Sequence, residues 1–163
     1  MKTIILVRHA KSSWDDFSVK DEDRPLTDRG KKNAPDMARR LLKKKIPIDV
    51  ILSSPAKRAR NTAELFAKEY DIPKKKILLI PELYMANSDE FVRTIRNAPG
   101  KADSIAIFSH NECITQFANT LSDAKVDHMP TCSVFAVKVD IASWEKFEPG
   151  TAEFYFFDYP KSL

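Results

Sequence analysis

At 163 residues, 43% hydrophobic and 31% charged, the chain has the make-up of one globular domain with a proper core, expected over residues 1–163. Three glycines against ten prolines, with no G-x-G-x-x-G or G-x-x-x-x-G-K-[ST] run, exclude a glycine-rich nucleotide loop. The net charge of +4 is scattered, its two lysine triplets fall at an expected helix end and turn, and aromatic residues do not alternate with basic ones, so no nucleic-acid surface is expected.

Residues 4–7, Ile4-Ile5-Leu6-Val7, read as a buried strand that runs straight into Arg8 and His9. The following stretch to Gly30 is polar and turn-rich and reads as a surface loop. Thr27 or Asp28 can cap a helix with Ala34, Met37, Ala38, Leu41 and Leu42 on its apolar face, and Pro35 fits only in the first turn of such a helix. Residues 49–53 form a second strand. A helix starting at Pro55 then carries Arg58 and Arg60 in its first turns, with Ala59, Ala63, Leu65, Phe66 and Ala67 turned inward. Residues 76–80 predict a third, shorter strand near an edge, which delivers Pro81-Glu82-Leu83-Tyr84. Ser88 is the expected cap of a helix through Phe91, Val92 and Ile95 that Pro99-Gly100 stops. Residues 104–109 predict a fourth strand ending in His110-Asn111, and a helix with Ile114, Phe117, Ala118 and Leu121 inward follows. Residues 134–139 and 152–157 then read as an antiparallel pair. The expected fold is a three-layer α/β/α sandwich around a mainly parallel sheet with an antiparallel C-terminal edge.

Cys113 and Cys132 form no C-x-x-C pair, and the three histidines lack metal-ligand spacing, so no metal or cofactor is expected and a reducing cytoplasm is the simplest compartment. The amino terminus does not read as a signal peptide, and no apolar stretch approaches the ~18 residues of a membrane span. No membrane partner is expected, and a monomer is.

Taken alone, Arg8 and His9 can simply close a strand, pairing with a surface carboxylate and capping the sheet. In a parallel sheet, however, the strand ends carrying Arg8 and His9, Arg58, Glu82 and His110 all open into one crevice, where ligands of open α/β sheets bind. Two guanidiniums and two imidazoles at one point are costly unless an anion joins them, and a phosphoryl group is the natural occupant. A neutral His9 can attack phosphorus while Arg8, Arg58 and a protonated His110 hold the equatorial oxygens; water then hydrolyses the phosphohistidine, and no metal is required.

Four separated blocks also carry a resemblance: Leu6-Val7-Arg8-His9-Ala10-Lys11-Ser12, Pro25-Leu26-Thr27-Asp28-Arg29-Gly30, the run from Ser53 to Glu64, and Ile107-Phe108-Ser109-His110-Asn111. They resemble the histidine phosphatase superfamily, of phosphoglycerate-mutase-like fold, and the short chain most resembles its compact SixA-like phosphohistidine phosphatases. The resemblance implies His9 as nucleophile and Arg8, Arg58 and His110 as the phosphate pocket. It adds Ser12, and Asn111 beside His110, as further phosphate contacts. Larger members use a Glu as proton donor, and Glu82 is the candidate by position; a loop carboxylate that caps or pairs is the alternative. Ala10 replaces the superfamily's usual Gly, as the SixA-like branch also shows. Lys11 stands where mutases often have Glu and Asp15 where they have a ligand-binding Asn.

The expected function is hydrolysis of a phosphoramidate or phosphate monoester through a phosphohistidine intermediate. A phosphorylated protein, foremost a histidine-phosphorylated one, is the expected partner. The alternatives are a phosphatase or mutase of small phosphate esters and a catalytically silent phosphate-binding module. Cys113 reads as helix core, since a cysteine phosphatase needs Arg where Asn119 stands, and His128 reads as structural or surface. Trp14 and Tyr84 either line the crevice mouth or pack, and Arg24 and Arg60 either orient carboxylates or are solvated.

Overall fold

Alternation along the central strands sets the architecture. In the computed structural model, which describes residues 1–161, β1 (Lys2–Arg8) points Ile4 and Leu6 to one face and Ile5 and Val7 to the other. In β4 (Ser104–Ser109), Ile105 and Ile107 oppose Ala106 and Phe108 in the same way. All eight side chains are buried, as strands covered on both faces require. The last two positions of the expected 1–163 domain lie outside the described residues.

The remaining strands are β2 (Val50–Ser53), β3 (Leu78–Leu79), β5 (Val134–Val139) and β6 (Glu153–Asp158), and the sheet order is β3-β2-β4-β1-β5-β6. The first four positions in that order are parallel; β5 runs antiparallel to β1, and β6 antiparallel to β5. Helices α1 (Asp28–Lys43) and α2 (Lys57–Glu69) bury Met37, Leu41 and Phe66 with Ile5 and Val7 on one face. Helices α3 (Ser88–Arg96) and α4 (Cys113–Leu121) bury Phe91, Ile95 and Phe117 with Ile4 and Leu6 on the other, Phe91 stacked on Phe117 at 4.7 Å. This is the expected α/β/α sandwich with an antiparallel C-terminal edge.

Several boundaries depart from the sequence reading. Thr27 caps α1, its hydroxyl accepting from Gly30 N at 3.1 Å, so Pro35 lies well inside the helix rather than in its first turn. The helix start is fixed from outside: a Cβ on Gly30 would stand 2.3 Å from the Lys11 carbonyl oxygen, so this turn must be seated where a glycine falls. Leu42, assigned to the apolar face, is exposed at 39%. The helix ends at the first lysine triplet: Lys45 turns left-handed at φ 62°, Ile46 N–H reaches Leu41 O at 3.0 Å and Lys45 N–H reaches Leu42 O at 2.9 Å. This double closure satisfies the last carbonyls with buried Ile46 against Leu41. Helix α2 begins two residues after Pro55, and Asn87 rather than Ser88 caps α3, in a reciprocal box with Glu90. Strand β3 keeps only two exposed residues, because it pairs with β2 alone at the sheet edge.

Candidate active site

The parallel register of β1 on β4 sets Arg8 opposite Ser109, so His9 and His110 leave adjacent strands side by side. Their rings stand 5.2 Å apart, tilted by 54°. The backbone beneath them is tied from three directions. His9 N–H donates to Ser109 O at 3.1 Å, Cys132 N–H donates to the carbonyls of both Arg8 and His9, and Ala10 N–H donates to the Thr62 hydroxyl of α2 at 2.9 Å. Thr62 in turn donates to Arg58 O at 2.7 Å, linking the turn after β1 to the first turns of α2.

His9 Nδ1 lies 2.7 Å from the Ala10 carbonyl oxygen. A carbonyl only accepts, so the neutral ring carries its proton on Nδ1 and keeps the Nε2 lone pair. Burial, at 7% exposure, pushes the His9 pKa down to about 3, aided by His110, Arg58 and Arg8 and opposed by the Ala10 bond. His110 Nε2 sits 2.8 Å from Ser54 Oγ, and its Nδ1 is buried with no partner among the described residues. Burial also pushes His110 down to about 3, with Arg58 next in weight. The sequence reading took His110 as protonated; on the protein's own charges it is neutral at pH 7, and protonating it takes the charge of an anion.

Arg58, buried in the first turn of α2, donates from Nη1 to Asp21 O at 2.7 Å and from Nη2 to Asp21 Oδ2 at 3.0 Å. Asp21 also receives Arg24 at 3.0 Å and the Tyr84 hydroxyl at 2.5 Å. The Tyr84 bond, then Arg24 and Arg58, hold its pKa down at about 2. Arg24 reaches Ser12 Oγ at 2.6 Å and stacks on Trp14, 3.2 Å from the ring centroid. Arg8 Nη1 donates to Met129 O at 2.8 Å and meets His128 Nε2 at 3.4 Å, while His128 Nδ1 contacts Asn111 Nδ2 at 3.1 Å. Thr115 donates to the other side of the Asn111 amide.

Arg8, His9, Ser12, Arg58, His110 and Asn111 thus line one open crevice of about 300 Å³. Glu82 does not join them. It is exposed and lines a separate cavity of about 320 Å³ with Glu90 and Arg93, because the short turn Pro81–Tyr84 sends Tyr84 toward His110 and Glu82 away. Arg60 faces a further cavity with Lys74 and Lys75. The surface loop supplies Asp21 and Arg24, and Arg24, Leu26 and Ser12 within it are buried, contrary to the sequence reading of that stretch as solvent-facing. Asp21, Ser54 and His128 are site residues the sequence reading did not assign. Asp21 sits among six acidic residues between Asp15 and Asp28, and nothing local distinguishes it.

An imidazole with a free lone pair, a second imidazole beside it, and two guanidiniums, Arg58 buried and Arg8 half-buried, at the carboxyl ends of parallel strands define a phosphoryl-handling protein on an open α/β sheet. Residues 4–85 match the histidine phosphatase superfamily (branch 1), and the chain belongs to that superfamily and is an enzyme of that type. An uncharacterized chloroplastic protein of Arabidopsis thaliana is 31% identical over 153 residues, spanning 89% of this chain and 70% of that one. The fold matches that of a protein histidine phosphatase SixA complexed with tungstate, with TM-score 0.81, 23% identity and 97% of each chain covered. It equally matches a candidate phosphohistidine phosphatase SixA from Agrobacterium tumefaciens, with TM-score 0.81, 23% identity and 98% of each chain covered. No helix among the described residues is long and apolar enough to cross a membrane.

Proposed function

We propose that the protein is a protein phosphohistidine phosphatase that works through phospho-His9. His9 Nε2 attacks phosphorus; the Nε2–P bond forms as the substrate's P–N bond breaks and its electron pair returns to the leaving imidazole. That imidazole, protonated on its other nitrogen, departs neutral. The Nδ1–H bond to Ala10 O carries the positive character that His9 gains on phosphorylation. Arg8 and Arg58 neutralise the equatorial oxygens, Ser12 and Asn111 add contacts, and His110 takes up a proton as the anion's charge arrives. Water then attacks phosphorus, releasing phosphate and regenerating His9. The charge is met by side chains, so no metal enters a step.

The observation that carries the reading is that no carboxyl group among the described residues of the crevice can serve as the leaving group's acid, while the proton His110 takes up is committed to the phosphoryl oxygens. Asp21 is held ionised by Tyr84, Arg24 and Arg58, and Glu82 lines another cavity. Alkyl esters leave as poor, strongly basic alkoxides and need a proton donor, whereas the imidazole of phosphohistidine does not. The test compares kcat/KM on a histidine-phosphorylated protein with alkyl and sugar phosphates. At least tenfold preference for phosphohistidine is expected; equal or better turnover of alkyl esters would refute the assignment.

A further inference from the structure

A second pocket, of about 290 Å³, opens beside the crevice between the first turns of α1 and the segment that follows β6. Lys11 and Thr131 line both spaces, so the two are lobes of one surface depression. The second lobe is lined by Arg29, Asn33 and Lys161, with Tyr159 and Pro160 as apolar walls, and by no carboxylate among the described residues. Resting on the phosphatase reading, we infer that the leaving group of the substrate carries a second anionic group, a carboxylate or phosphate, which this lobe receives.

The cations of the two lobes differ in how they are satisfied. In the crevice, Arg24 and Arg58 are held by Asp21, and Arg8 donates to Met129 O. In the second lobe the side chains of Lys11, Arg29 and Lys161 make no hydrogen bond or ion pair among the described residues. Three like charges converging on a concave, partly apolar space repel one another and focus a positive potential that an anion relieves. The placement of Lys11 is built in. Its carbonyl oxygen accepts from Thr27 N at 2.9 Å and from the Thr27 hydroxyl at 3.2 Å, and Gly30 lets α1 approach it closely. The turn that carries His9 is therefore strapped to the helix that carries Arg29. Lys11 and Thr131, common to both spaces, lie between the crevice at His9 and the second lobe.

Trp14 lines the crevice and is largely exposed, whereas Trp144, the other tryptophan, is buried, so quenching of Trp14 fluorescence reports occupancy without turnover. One arm titrates ethylphosphonate against 3-phosphonopropionate, which differ by a carboxylate. A second arm titrates peptides bearing a phosphonate analogue of phosphohistidine flanked by Glu or by Gln. At low salt the anionic member of at least one pair should bind about fivefold tighter, as expected for two or three exposed ion pairs. That ratio should fall toward one in the Arg29→Ala, Lys161→Ala double variant and in high salt. Discrimination by the small pair alone identifies a metabolite as the source of the anion, and discrimination by the peptides a protein surface. A ratio of one in both arms, or a ratio that survives the double variant, overturns the inference. Failure of the phosphatase reading is seen separately, as absence of aryl phosphate hydrolysis by protein that still binds phosphonates.

Discussion

His9 is buried among cations, and that placement keeps its ring neutral, with the Nε2 lone pair free. The same cations that depress its basicity are those an incoming phosphoryl group neutralises, so the ring is most available before substrate binds. His9→Ala should abolish both turnover and the alkali-stable, acid-labile trapping of labelled phosphate; label retained by the alanine variant would move the nucleophile elsewhere. Glu82 gives the complementary case. Facing a different cavity, it is expected to tolerate Glu82→Gln with less than a threefold change in kcat/KM on phosphohistidine, and a loss of 100-fold or more would return it to the chemistry.

At the scale of elements, the segment from β1 to α1 is tied down at both of its ends and in between. Its outgoing turn holds His9, Lys11 and Ser12; its return brings Leu26 into a bridge with Ser12; its end seats Gly30 against Lys11. Between them, Asp21 reaches back to Arg58, Arg24 and Tyr84 and so joins three separate parts of the chain. Gly30→Ala should therefore act at a distance from its own helix. The added methyl meets backbone, not a flexible side chain, and should cost roughly 1–3 kcal/mol in urea unfolding. It should also lower kcat/KM by displacing Lys11 and Ser12. Full activity and stability in this variant would show that the close approach does not hold the turn in place.

For the molecule as a whole, the two buried imidazoles tie the site to stability. Unfolded, each takes a proton near pH 6.5; folded, each resists until about 3. Across that window the unfolded chain binds more protons, so their contribution is complete above about pH 6.5 and declines as the pH falls. Urea midpoints should drop between pH 6 and 4 with a slope approaching two protons, about 1.4 kcal/mol per proton per pH unit. His110→Gln should remove close to half of it. A flat profile would mean that the rings are solvated.

The sequence by itself determined whatever is written in short-range order. Ile4 to Val7 running into Arg8-His9, the 104–109 run ending in His110, and the helical spacing of Met37, Leu41, Phe91 and Ile95 are local patterns, and each implies an element and its buried face. Knowing that such strands run parallel was enough to expect Arg8, His9, Arg58 and His110 at one crevice. Only the tertiary structure decided which loop carboxylate meets Arg58, that His128 joins Arg8 to Asn111, that Glu82 turns away, and that Pro35 sits inside α1. Each of these depends on distant segments meeting: Asp21 is 37 residues from Arg58, and His128 is 120 from Arg8. Periodicity reports which face of an element is apolar, but the angle at which a short turn leaves a strand is settled by close packing against the rest of the molecule.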